Sequence, residues 1–157
     1  PATSFYLGKP YARARDMIAA GVPVAVASDF NPGSCPSLNL QLVMNLACWN
    51  YRLTPEEVLT AATLNAAAAI CRADRLGSLE VGKAADLFLL NVDLLELAGA
   101  KLDPACMLGT VGYARPAELV MVNGRVVVEH GRVLGMDEEQ TRVRAQQLVD
   151  GMLQKAE

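Results

Sequence analysis

The residues of this chain best suited to chemistry lie in a short loop after the apolar run 22–27. Asp29 can bind a divalent cation or accept a proton. Asn31 and Ser34 add an amide and a hydroxyl, and Gly33 leaves a backbone N–H group open. The run itself is small, apolar and partly β-branched, as expected of a parallel strand, and such strands carry their chemistry at the carboxyl end. Asp29 is therefore the candidate catalytic residue and metal ligand.

The same loop also has a purely structural interpretation. Asp and Asn side chains accept hydrogen bonds from nearby backbone N–H groups, and the pair Pro32-Gly33 suits a type II turn. The local residues alone therefore leave two alternatives open, a chemical site and an ordinary turn.

The composition indicates a soluble globular protein. Of its 157 residues, 52% are hydrophobic and 20% are charged, which is enough apolar material for a substantial core. The formal net charge of −3 gives no reason to expect nucleic acid or an anionic membrane as a partner. No apolar run approaches the roughly 20 residues that span a bilayer, and no signal peptide is recognisable, so we expect a cytoplasmic protein. The first residue is Pro1 rather than Met, which favours a fragment of a longer protein.

The four cysteines have no metal-binding or redox spacing. They are widely separated and form no C-x-x-C pair, so a structural zinc site or a thioredoxin-like motif is not expected. Cys48, Cys71 and Cys106 are interpreted as small buried apolar residues, whereas Cys35 directly follows the candidate loop. A nucleophilic Cys35 would need a base, and the single histidine, His130, lies in a distant segment as an expected surface residue.

Periodicity and capping residues predict the helices. The strongest start signal is Thr54-Pro55-Glu56-Glu57, a capping box with Pro at the first helical position. Residues 1–8 are expected to form a loop. The predicted helices, with their expected N-caps where one is recognisable, are 9–20, 38–50 (Ser37), 55–62 (Thr54), 66–70 (Asn65) and 138–155 (Asp137).

The second half of the chain is predicted to contain a small β layer. Asn123-Gly124 joins two β-branched runs, 119–122 and 125–129, which is the strongest short signal for a hairpin. A further strand is expected at 87–90, and an inserted helical segment near 94–108. Together with the helix and strand at 9–27, this pattern favours an α/β fold.

Three stretches, 21–29, 76–87 and 122–128, resemble the amidohydrolase superfamily of metal-dependent hydrolases. The resemblance implies that the chain is the C-terminal fragment of a (β/α)8 barrel, with its last strand and helices, plus part of a small β-sandwich domain. The implied divisions are the end of the barrel at 1–75, part of the sandwich at 76–134 and a C-terminal helix at 135–157.

Within the superfamily, the loop 28–34 is similar to that of the imidazolonepropionase family. Those enzymes hydrolyse 4-imidazolone-5-propanoate to N-formimino-L-glutamate in histidine degradation. The resemblance implies that Asp29 binds the catalytic metal, that Asn31 and Gly33 contact the formiminoglutamate end of the substrate, and that Ser34 contacts the imidazolone propionate.

The resemblance changes from Asp93 onward, where the chain looks closer to aminohydrolases that deaminate guanine-like or triazine rings. The family's His-x-His pair is missing from the sequence, so the expected zinc or iron ion would have an incomplete ligand set and the chain would be inactive alone. The expected partners are a small-molecule substrate and, in the full-length protein, a second copy in a homodimer. A non-catalytic domain that keeps the family scaffold is the competing hypothesis.

Overall fold

The computed structural model describes residues 1–154 and combines six α-helices with one antiparallel sheet, a mixed α/β composition. The first half is helical, and the sheet and the longest helix lie in the second half. The helices are α1 Ala2–Tyr6, α2 Ala14–Ala19, α3 Leu40–Tyr51, α4 Pro55–Ala62, α5 Leu64–Ala69 and α6 Glu138–Leu153. The strands are β1 Leu87–Leu89, β2 Leu119–Val122, β3 Arg125–Glu129 and β4 Arg132–Val133.

Helix α3 lies at the centre of the hydrophobic core and contributes more buried residues than any other helix of the described chain. Its N-cap is Asn39, whose side chain accepts a hydrogen bond from the Leu42 backbone N–H at 3.0 Å, so the predicted cap at Ser37 is wrong by two residues. Its C-cap is Arg52, which adopts a left-handed conformation with φ of 57°. The core consists of Ala2, Ala14, Val26, Cys35, Val43, Met44, Leu46, Ala47, Leu53, Val58 and Ala61.

The capping box at the start of α4 is confirmed. The Thr54 hydroxyl accepts from the Glu57 N–H at 3.3 Å, and the Glu57 carboxylate accepts from the Thr54 N–H at 2.8 Å. The same carboxylate binds the Arg15 guanidinium of α2, which also donates to the Arg52 carbonyl at 2.7 Å. The pKa of Glu57 is lowered to about 2, mainly by its hydrogen bonds with Arg15 and to a smaller extent by the bond from the Thr54 N–H. One carboxylate thus joins α2 to the N-terminus of α4.

Three further predictions at the helices are wrong. Residues 1–8 are not all loop, because α1 occupies Ala2–Tyr6. The helix predicted over 9–20 is shorter and spans only Ala14–Ala19. Helix α5 begins after Thr63, not after Asn65, because the Asn65 amide instead donates to the Val24 carbonyl at 2.8 Å.

The strand predicted over 22–27 is not formed within the described residues. A strand needs a neighbour to share backbone hydrogen bonds, and this segment pairs with helices instead. The Val26 N–H donates to the Ala61 carbonyl at 3.1 Å, and the Val24 carbonyl accepts from Asn65. Most of the segment is exposed, but Val26 is 5% exposed and anchors the segment to the core.

The four strands form one sheet in sequence order, each antiparallel to the next. The predicted hairpin is confirmed at both strand boundaries, with φ of 49° at Asn123 and 79° at Gly124, as a type I′ turn requires. The Asn123 N–H donates to the Asp86 carboxylate at 2.5 Å, which ties the turn to the start of β1. Strand β4, which follows a second tight turn at His130-Gly131, was missed by the sequence analysis.

The segment between β1 and β2 contains short irregular helices. Two 3₁₀ turns occupy Leu95–Leu97 and Ala100–Leu102, and a π-helical turn occupies Met107–Val111 in place of the helix expected to end at Leu108. Polar side chains of α3 hold the π-helical turn. Gln41 donates to the Leu108 carbonyl, and the buried Asn45 amide donates to the Gly109 carbonyl at 2.9 Å.

Helix α6 begins as predicted at Asp137, whose side chain accepts from the Gln140 N–H at 2.9 Å. It contains no buried residue, so the apolar positions that suggested an amphipathic helix do not pack on the described part of the chain. Lys155, the predicted last residue of this helix, lies outside the described residues. Within residues 1–154, no helix is long and apolar enough to cross a bilayer.

Candidate functional site

Asp29 occupies an exposed position with a constrained backbone. Its φ of 52° lies in the left-handed region, which is uncommon for a residue with a β-carbon. Its carbonyl accepts a hydrogen bond from the Asn31 side-chain amide at 2.8 Å. Its carboxylate oxygen Oδ2 accepts from the Thr3 hydroxyl of α1 at 2.6 Å. Backbone and side chain are therefore both held in place.

The Asn31 side chain organises the loop from within. Its oxygen Oδ1 accepts from the Gly33 N–H at 3.0 Å and from the Ser34 N–H at 2.8 Å. Its nitrogen Nδ2 lies 2.8 Å from the Ser34 hydroxyl, in addition to its bond to the Asp29 carbonyl. The structure thus brings the predicted residues Asp29, Asn31, Gly33 and Ser34 together in one hydrogen-bonded turn.

The turn is not of type II, because its residue with a positive φ is not Gly33. Gly33 has no positive φ, whereas the type II turn would require one at that position. The positive φ occurs at Asp29 instead. The loop closes with a backbone bridge, because the Asn31 N–H donates to the Cys35 carbonyl at 3.0 Å and the Cys35 N–H returns a bond at 3.2 Å.

The burial of the cysteines differs from the prediction, although Cys35 is again not a nucleophile. Cys35 is 2% exposed and belongs to the core, which leaves its thiol inaccessible as a nucleophile. Cys71 is exposed, and Cys48 and Cys106 are half-buried. Partial burial raises the pKa of the Cys48 thiol, which makes it less reactive.

His130 is a surface residue, as predicted. It lies at the end of β3, and its Nδ1 is 2.5 Å from a Glu118 carboxylate oxygen. That hydrogen bond raises the pKa of His130. The pair involves neither Asp29 nor Cys35, so His130 serves neither as a base for Cys35 nor as a metal ligand beside Asp29.

Thr3 is the contact of this site that the sequence analysis did not identify. It lies 26 residues before Asp29 in a segment expected to be loop, and no local pattern connects the two. The only available signal was chemical, since a hydroxyl is a common partner of a carboxylate.

The described residues can supply one metal ligand and not a complete site. Asp29 Oδ1 accepts no hydrogen bond from any group within residues 1–154, so it could bind a cation. The same residues contain no group of three His, Cys, Asp or Glu side chains arranged to hold a metal ion. A catalytic zinc site uses about three protein ligands. The donor set here does not fit a complete metal centre.

The sequence model of the family described as "Amidohydrolase family" matches residues 1–127. The chain belongs to the amidohydrolase family. Among curated members, the imidazolonepropionase of Alkaliphilus oremlandii is 44% identical over 136 residues, which cover 85% of this chain and 30% of that protein. The imidazolonepropionase of Geobacillus kaustophilus is 48% identical over 134 residues, with 85% and 29% covered. This amidohydrolase chain therefore spans about a third of the length of these relatives.

Solved structures of other amidohydrolases have the same fold over nearly the whole chain. A mutant of atrazine chlorohydrolase TrzN from Arthrobacter aurescens TC1, complexed with zinc and atraton, matches with a TM-score of 0.84 and 31% identity, covering 94% of this chain and 34% of that one. A zinc-bound adenosine deaminase from Xanthomonas campestris matches with a TM-score of 0.81 and 25% identity, covering 98% and 36%.

Proposed function

We propose that this chain is the C-terminal part of an imidazolonepropionase, a hydrolase that opens the ring of 4-imidazolone-5-propanoate at a cyclic amide C–N bond. The observation that carries the proposal is the loop 29–34, in which an exposed carboxylate is held after a segment that Val26 anchors to the core. The 44–48% identity to imidazolonepropionases over 85% of the chain supports this choice of substrate.

Asp29 is proposed as the catalytic carboxylate and as one ligand of a divalent metal, zinc or iron. When bound, such an ion would supply a water activated near neutral pH. Asp29 Oδ1 is the oxygen available to bind the ion or to take a proton, because Oδ2 is engaged by Thr3. Zinc in the structural neighbours supports the type of ion. The remaining ligands would come from protein outside this chain, and we expect the chain to be inactive alone.

The substrate contacts proposed for Asn31, Gly33 and Ser34 require an exchange of partners. The Asn31 amide and the Gly33 and Ser34 N–H groups already bond to one another. A substrate carboxylate could accept from these N–H groups only if Asn31 Oδ1 shared or released them. Asn31 therefore holds the loop together, and a bound substrate would have to replace its hydrogen bonds to the Gly33 and Ser34 N–H groups.

The proposed architecture follows from the same family membership. Residues 1–75 would form the last strand and helices of a (β/α)8 barrel, 76–134 part of a small β-sandwich and 135–157 a C-terminal helix. The extended neighbours that 22–27 needs to become a barrel strand would then lie in the rest of the protein. A cytoplasmic homodimer acting on a small molecule is the proposed form of the whole enzyme.

The second candidate is an aminohydrolase acting on a guanine-like or triazine ring. The structural neighbours named atrazine chlorohydrolase and adenosine deaminase favour it, as does the character of the sequence from Asp93 onward. Assays of the full-length protein with imidazolone propionate, guanine and an amino-substituted triazine separate the two candidates. Turnover of imidazolone propionate alone supports the first proposal, and ammonia release from the other rings supports the second.

The role of Asp29 can be tested in the full-length protein with Asp29→Ala. Loss of a metal ligand and proton acceptor should lower kcat/KM by about 10²–10⁴-fold and reduce the metal content of the purified enzyme. Asp74→Ala, at another exposed aspartate, is the matched control and should leave both unchanged. Wild-type kcat/KM and metal content in Asp29→Ala would overturn the assignment of Asp29 as catalytic residue and metal ligand.

A further inference from the structure

The Thr3 hydroxyl makes the only hydrogen bond to the Asp29 carboxylate that residues 1–154 provide. The distance from Thr3 Oγ1 to Asp29 Oδ2 is 2.6 Å, which is short for a hydrogen bond between two oxygen atoms. The Thr3 hydroxyl is the donor, since a carboxylate offers only acceptors. One of the two carboxylate oxygens is therefore already engaged.

Both partners of this hydrogen bond are fixed by the structure around them. Thr3 is half-buried on α1, and the adjacent Ala2 is 5% exposed in the core, where α1 packs against α3. Asp29 is held by its left-handed backbone and by the bond from Asn31 to its carbonyl. A hydrogen bond between two anchored groups fixes the rotation of the carboxylate at little further cost in entropy.

We propose that Thr3 is a positioning residue for Asp29, whose hydroxyl engages Oδ2 and so directs Oδ1 toward the reacting atoms. This inference rests on the proposed function, because it explains how the Asp29 carboxylate is oriented for the role proposed there. Partners of metal-binding side chains commonly act in this way, by orienting the ligand and tuning its basicity. Thr3 itself touches neither the metal nor the substrate in this proposal.

The test uses the full-length protein and three substitutions. Thr3→Val replaces the hydroxyl with a methyl group of similar size, Thr3→Ser keeps the hydroxyl, and Asp29→Asn provides the reference loss. The readouts are the affinity for Zn²⁺ in chelator competition, kcat and KM measured separately, and the midpoint of thermal unfolding. Ser4→Ala, which removes a half-buried hydroxyl from the next position of α1, is the matched control.

Thr3→Val should weaken Zn²⁺ binding or lower kcat by about 10–100-fold, the usual effect of losing a partner of a metal ligand. KM should change little, because Thr3 does not contact substrate. Thr3→Ser should recover most of both quantities, and Ser4→Ala should match wild type. If Thr3→Val does not fold, Thr3→Ala removes the same hydroxyl with less volume and is judged by the same readouts.

Three results would overturn the inference by different routes. Wild-type Zn²⁺ affinity and kcat in Thr3→Val, with both lost in Asp29→Asn, would exclude Thr3 and leave the proposed function intact. Wild-type behaviour in Asp29→Asn would remove the role of Asp29, and the inference would fail together with the proposed function. Equal losses in Thr3→Val and Thr3→Ser, accompanied by a lower unfolding midpoint, would show that Thr3 is merely structural.

Discussion

The helical region at 1–62 and the region formed by the sheet and α6 differ sharply in how they bury apolar side chains. All eleven residues of the core cluster lie between Ala2 and Ala61. In the second region, Phe88 and Leu89 of β1 are more than half exposed, and α6 buries no residue. The first region has an interior of its own, whereas the second presents two apolar surfaces to solvent.

This difference shows which parts of the chain hold the candidate site. Loop 29–37 lies between Val26 and α3, two parts of the buried core, and Cys35 within it is itself buried. The site is therefore attached to the region that contains the core cluster. The exposed apolar side chains of β1 and α6 would mark an interaction surface if they form one patch. The same substitution should accordingly have different effects in the two regions.

The largest expected contrast is between Leu46→Ala and Leu148→Ala. Leu46 is 3% exposed in α3, and its truncation should lower the free energy of unfolding by about 2–5 kcal/mol. Leu148 is 63% exposed in α6, and its truncation should change that quantity by less than about 0.5 kcal/mol. Urea unfolding of the protein, followed by circular dichroism, measures both.

A large loss of unfolding free energy in Leu148→Ala would contradict this expected difference. It would show that α6 is covered in the whole protein, by residues outside 1–154 or by a second subunit. Repeating the measurement over a range of protein concentrations separates these causes, because only a subunit contact makes the stability depend on concentration.

Local signals predicted those elements whose hydrogen bonds are local. The capping box at Thr54, the N-cap at Asp137 and the Asn123-Gly124 hairpin were all placed correctly, since each is determined by residues within about four positions. The same locality explains how loop 29–34 could be recognised as one unit. Its bonds run between residues two and three apart.

Features that depend on distant residues were predicted wrongly or missed. The apolar run 22–27 has the composition of a strand, yet within the described residues it has helices as neighbours and forms no ladder. The bond from Thr3 to Asp29 and the burial of Cys35 both arise from packing across the chain. No pattern within a short window carries that information.

Glycine substitutions sharpen the comparison, because the same change should have opposite signs where the π-helical turn packs on the helical region and on the exposed helix α6. A β-carbon on Gly109 would lie 2.8 Å from Pro55 Cα and Cβ, so Gly109→Ala should destabilise the protein by about 1–3 kcal/mol. Gly151 in α6 has open space at the same position, so Gly151→Ala should stabilise it by roughly 0.5–1 kcal/mol. Thermal unfolding midpoints compare the two. A neutral Gly109→Ala would show that the π-helical turn can move away from α4.

The smallest expected effect concerns the ion pair inside the helical region. Arg15 and Thr54 lower the pKa of Glu57 from 4.5 to about 2, so this carboxylate stabilises the folded state above its unfolded pKa and loses that contribution as the pH falls toward 2. Glu57→Gln should cost about 0.5–1 kcal/mol at pH 7, since the pair is partly exposed. The difference between wild type and variant should shrink between pH 5 and about pH 2.

Glu139→Gln, at an exposed pair confined to one turn of α6, is the control and should cost less. A difference that stays constant across this range in urea unfolding would mean that Glu57 acts through its cap to Thr54 and not through its charge.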